Sequence, residues 1–76
     1  DKVIAEESSR ILVDAIEKLP PQMKSIMQLA LEGKSNPEIA ETLNISGETV
    51  HSQKKIAYRK LRVYLKDYYY LVFYFL

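Results

Sequence analysis

The sequence predicts an all-α fold, a small domain of four helices containing a helix-turn-helix with an extended recognition helix. Three observations lead there. Apolar residues recur at helical spacing along the segments between turn signals. Those segments are punctuated by residues that start or stop helices, with Pro20, Pro21 and Pro37 at starts and Gly33 and Asn44 at ends. Between Asn36 and Arg62 the chain reads NPEIAETLNISGETVHSQKKIAYRKLR: a short capped helix, a tight polar turn, and a helix that opens with small polar residues and then becomes basic. That layout is the one that places a helix in a DNA major groove.

The first helix is expected over residues 3 to 18, carrying Val3, Ile4, Ile11, Leu12, Ala15, Ile16 and Leu19, with Ser8 and Ser9 as an internal break or second start. Leu19, Pro20 and Pro21 end it, because proline lacks the N–H that an interior turn needs, and the prolines open the next helix. That second helix runs from about Pro21 to Glu32 with Met23, Ile26, Met27, Leu29, Ala30 and Leu31 as its apolar set. Gly33 caps its end, beside Lys34 at the negative pole of the helix. The third helix is capped by Ser35 or Asn36, has Pro37 at its first position, and turns Ile39, Ala40 and Leu43 inward. Ala40 is the small residue that a steep helix crossing demands. Asn44 stands where glycine is more usual, because asparagine tolerates positive φ. Ser46 caps the fourth helix, with Thr49 as its third residue, and Leu43, Ile45 and Val50 close a small core around the turn.

Length and composition narrow the function. Seventy-six residues make one domain, 1–76, near the lower size limit for an unstapled helical core. The chain has no cysteine, which removes disulfides and thiolate metal sites and fits a reducing cytoplasm. A metal site on the one histidine, His51, would need gathered carboxylates, and only Glu48 is near. There is no Gly-rich phosphate loop, no Ser/His/Asp arrangement and no signal peptide, so no enzyme, catalytic residue, metal or cofactor is expected. A start at Asp1 without methionine reads as a piece excised from a longer chain.

The net charge of +1 hides a division. Residues 1–48 hold five Lys/Arg against nine Asp/Glu, and residues 49–76 hold six Lys/Arg against Asp67 alone. The positive part is the expected recognition helix, where Lys54, Lys55, Arg59, Lys60, Arg62 and Lys66 reach phosphates on both sides of a groove. Gln53 has the chemistry to pair bidentately with adenine and Lys55 to donate to guanine, while Thr49 and Ser52 suit phosphate or a thymine methyl.

Leu19-Pro20-Pro21-Gln22-Met23 ahead of an apolar helix, Gly33, Glu38-Ile39-Ala40, Leu43-Asn44-Ile45-Ser46, Thr49-Val50 and a basic helix ending Lys60-Leu61-Arg62 together resemble region 4. This is the C-terminal promoter-binding domain of bacterial RNA polymerase sigma factors, here most similar to the extracytoplasmic-function class. The resemblance covers about residues 12–66, and its second half is shared with the C-terminal domains of LuxR-type regulators. It implies transcription initiation in the cytoplasm: reading of the minus 35 promoter element, the β-subunit flap of RNA polymerase core held on the other side, and an anti-sigma factor as a further partner. By motif it turns Ser46, Gly47, Glu48, Thr49, His51, Ser52 and Lys55 toward bases; Lys54, Arg59, Lys60 and Arg62 suit the backbone. His51 and Gln53 stand where many members carry arginine, so the promoter sequence is not carried over.

The tail departs from that pattern. Tyr68 to Leu76 is nine residues without charge, well short of the roughly 20 that span a bilayer. Leu61, Tyr64, Tyr68, Leu71 and Phe75 alternate spacings of three and four, as along a coiled-coil seam, and Leu65, Tyr69, Val72 and Leu76 form a second stripe. Such a helix has to be covered, by its own domain, by a second copy through Tyr68–Leu76, or by a regulator. Two alternative functions follow: a LuxR-type response-regulator output domain binding two half-sites, and an interaction module acting through the tail.

Overall fold

The computed structural model describes the backbone of residues 2–75 and the side chains of residues 10–71. Four α-helices follow in order, α1 (Lys2–Glu17), α2 (Pro21–Leu31), α3 (Asn36–Leu43) and α4 (Gly47–Leu65), and a 3-10 helix (Lys66–Phe75) follows α4. No strand occurs among the described residues. The fold is the all-α domain expected, with α4 as its longest helix.

α1 is unbroken through Ser8 and Ser9, contrary to the expected second start. Two serines cost a helix only a few tenths of a kcal/mol each, and the apolar positions on either side continue in one phase. Its end tightens through Lys18 N–H to Ala15 O at 3.1 Å and Leu19 N–H to Ile16 O at 3.0 Å. Pro20, with φ −57° and ψ 154°, turns the chain into α2, where Pro21 takes the first position. Across this corner Glu17 accepts from Gln28 Nε2 at 3.1 Å and lies 3.6 Å from Lys24 Nζ. These contacts are exposed and contribute at most about 1 kcal/mol.

α2 ends at Leu31 and is closed off by Gly33, whose φ of +93° is left-handed. Gly33 N–H donates to Ala30 O at 3.0 Å and Lys34 N–H to Leu29 O at 3.1 Å, the paired bonds that close a helix around a left-handed glycine. α3 opens with a complete capping box: Glu38 N–H donates to Ser35 Oγ at 3.3 Å and Ser35 N–H donates to Glu38 Oε1 at 2.8 Å. Ser35 is therefore the cap and Asn36 the first helical residue, so Pro37 stands second rather than first, where its missing N–H is still no loss because the first four N–H groups of a helix have no intrahelical partner. α3 closes at Asn44, left-handed at φ 56°, with Ile45 N–H reaching Ala40 O at 3.0 Å. Asparagine thus fills the glycine role expected of it.

One cluster of buried side chains joins Leu12, Ala15, Ile16 and Leu19 of α1 and its end, Met23, Ile26 and Met27 of α2, Ile39 of α3, Val50, Ala57, Leu61 and Leu65 of α4, and Leu71. Each large member contributes about 1.5–3 kcal/mol by leaving water. On α3 it is Ile39 that is fully buried; Ala40 and Leu43 line the edge of the core, as does Ile45 in the turn.

The tail does not continue α4. At Lys66 the backbone takes φ 50° and ψ −112°, and the chain turns into the 3-10 helix packed on α1, α2 and α4. The expected seam is thereby broken: Leu61, Leu65 and Leu71 face the core, whereas Tyr64, Tyr68 and Tyr70 are 37%, 47% and 56% exposed. Of the three expected covers, the domain itself takes Leu71. The side chains of Val72, Phe75 and Leu76 lie outside the described residues.

Candidate nucleic-acid interface

Two local devices set α4 in place. Ser46 caps it, accepting from Thr49 N–H at 3.0 Å with its hydroxyl 2.8 Å from Thr49 Oγ1, so Thr49's hydroxyl is engaged at the helix start. Val50, fully buried directly after this turn, fixes the rotation of the helix about its axis. Val50, Ala57, Leu61 and Leu65 then form its inner face. At about 100° per residue, Glu48, His51, Ser52, Lys55, Arg59 and Arg62 fall in one arc on the far side, and all six are exposed. Thr49, Gln53, Ile56 and Lys60 border the core on one flank and Lys54 and Tyr58 on the other, and all of these are half-buried.

The residues singled out from the sequence therefore separate by environment. Ser46 and Gly47 are exposed at the leading end, and Glu48, His51, Ser52 and Lys55 lie behind them on the outward stripe, followed by Arg59 and Arg62. Gln53, Lys54, Lys60 and Thr49 are set to the sides. Partial burial holds the Lys54 ammonium below the usual lysine value. The inner position of Ala57 was not read from the sequence; its signal was the spacing of seven from Val50, hidden because alanine is a weak apolar marker.

Charge is graded along this stripe. Glu48 sits in the first turn and Arg62 in the last, each complementing the helix dipole. From Glu48 to Arg62 is about 21 Å along the axis, against a major groove about 12 Å wide.

α2 leaves little apolar surface toward solvent. Met23, Ile26 and Met27 are 4%, 0% and 0% exposed, spent in the core, and Leu31 at 38% is the large apolar side chain that α2 leaves exposed. Among the described residues no three His, Cys, Asp or Glu side chains gather as a metal site. No described helix is long and apolar enough to cross a membrane.

A capped turn, a short helix with Ala40 at the edge of the core and an outward polar and basic stripe are the parts of a duplex-reading helix-turn-helix. No curated protein and no solved structure matches the chain. The family of GerE domains, described as bacterial regulatory proteins of the luxR family, matches residues 17–67, two thirds of the chain and all of α2, α3 and α4. This family supports sequence-specific DNA binding in transcription regulation, and its DNA-binding domain is the relative that shared the second half of the sigma resemblance. The chain belongs to the luxR family of bacterial regulatory proteins.

Proposed function

We propose that α4 lies in the major groove with Glu48, His51, Ser52 and Lys55 toward base edges and Arg59, Lys60 and Arg62 toward phosphates, as the output module of a transcription regulator. The observation that carries this reading is the stripe opposite the core, six exposed polar or charged residues in one arc of one helix. Lys55 on the outer face is the donor suited to guanine O6 and N7. Gln53, half-buried on a flank, serves the backbone in this arrangement. Selection of duplexes from a random pool by the 76-residue chain, repeated with Lys55→Ala and Arg59→Ala, tests it. The first substitution changes the preferred sequence, the second weakens all sequences alike. If both leave the selected pool and the affinity unchanged, the helix is not in the groove.

Promoter recognition at the minus 35 element as sigma region 4 is the second reading, supported by the Leu19–Met23 opening and by Leu31 at the outer end of α2. Binding of the chain to the isolated β-subunit flap, lost in Leu31→Ser, favours it. A two-fold footprint on paired half-sites favours the response-regulator type.

A further inference from the structure

Arg62 lies on the outward stripe in the last turn of α4, yet its guanidinium carbon is 5.9 Å from the centroid of the Tyr69 ring. In a continuous α-helix a residue seven places on would stand about 10 Å farther along the axis. The reversal at Lys66 brings the ring back. Tyr69 is also well anchored: it is half-buried between two exposed tyrosines, and Leu71, two residues on, is 1% exposed. Tyr58, one turn before Arg62, has its pKa raised chiefly by burial and secondarily by Tyr69, which lies near enough to oppose its ionisation.

We infer that Tyr69 is a positioning residue for DNA binding, its ring holding the Arg62 guanidinium where a backbone phosphate passes. The inference rests on the groove docking proposed above. A single ring cannot engage all five guanidinium N–H donors, so a cation held beside it keeps donors for the two oxygens of a phosphate. Arg62 remains exposed, so those donors are open to a ligand. A long side chain already held on a ring loses less rotamer freedom when it binds. The C-terminal segment is thereby part of the DNA-binding apparatus.

The test uses the full chain and its Tyr69→Leu, Tyr69→Phe, Arg62→Ala and Tyr69→Leu/Arg62→Ala variants. Each is titrated onto one duplex chosen for tight binding to the unaltered chain, across a salt series, with thermal melts as a check on folding. Tyr69→Leu is expected to weaken binding about two- to fivefold, the range of an exposed cation–π contact, and Tyr69→Phe to bind as the unaltered chain does. In the Arg62→Ala background Tyr69→Leu has no further effect. An equal loss in both backgrounds, a loss in Tyr69→Phe as large as in Tyr69→Leu, or no loss overturns the inference. If Tyr69→Leu melts too low, Tyr69→Met takes its place. Arg62→Ala without effect, while Lys55→Ala weakens binding, overturns the positioning role and leaves the groove docking intact. Absence of duplex binding by the unaltered chain overturns both.

Discussion

Replacing Arg59 by alanine changes how DNA binding responds to salt, and the size of that change follows from where α4 carries its cations. Lys55, Arg59 and Arg62 lie on the outward stripe, with Lys60 on its flank. If these four each neutralise one phosphate, the slope of log affinity against log salt is about −3.6. Affinity then falls about 150-fold between 50 and 200 mM salt. Arg59→Ala leaves three contacts, a slope of about −2.7 and a fall of about 40-fold over the same range. The side chain is exposed, so the substitution costs the fold about 0.5 kcal/mol or less and the melting curve serves as the internal control. Lys24→Ala is the matched negative: that lysine pairs with Glu17 at the α1–α2 corner, and its loss leaves the slope unchanged. Fluorescence anisotropy of a labelled duplex at five or six salt concentrations measures all three. A slope for Arg59→Ala equal to that of the unaltered chain, or a shallower slope for Lys24→Ala, refutes the placement of the duplex along α4.

Ile39 is the fully buried residue of α3, so Ile39→Ala is expected to cost about 2–5 kcal/mol and lower the melting temperature by about 10 °C or more; a fall of a degree or two would show that α3 is not packed as described. Asn44 is left-handed at φ 56°, so Asn44→Ala costs about 1–2 kcal/mol whereas Asn44→Gly is near neutral; equal denaturation midpoints for the two would remove the argument. Ser35, first through its backbone N–H and then its hydroxyl, holds the Glu38 carboxyl below the ordinary glutamate value. A depressed folded pKa means that the contribution is present above the unfolded value and is lost as pH falls through the folded one. Glu38→Gln is therefore expected to flatten the decline of stability just below the ordinary glutamate value, read from urea midpoints across that interval, and an unaltered decline counts against the capping box.

Local chemistry was the legible part of this molecule. Proline at helix starts, Gly33 and Asn44 at ends, and serine caps act within a few residues of one another, and each stands where expected save Pro37, which is one residue farther into α3. The charged half of α4 was legible for the same reason, being a run in one element. Which side of that helix each residue occupies was less so. Gln53 and Lys54 look as available as Lys55 on the page, and only the packing of Val50, Ala57 and Leu61 sets them to the flanks. The reversal at Lys66 carries no local signal at all: lysine is an ordinary helix former, and neither glycine nor proline stands near it. Leu71 reaches the core by that turn, so tertiary packing overrides a periodicity that by itself favoured one continuous helix.

The inner and outer faces of α4 share one rod but no residue. Ala57, Leu61 and Val50 hold the rod at a set angle, and Glu48, His51, Ser52 and Lys55 lie exposed on its far side. In the docking proposed above, new side chains at those four positions would redirect the module to another duplex sequence while Val50, Ala57 and Leu61 go on holding the fold. A single residue inserted within α4 between Lys54 and Lys55 would do the reverse, rotating everything behind it by about 100° against Val50, so that Ala57 and Leu61 leave the core and Arg59 and Arg62 leave the outward stripe in one step.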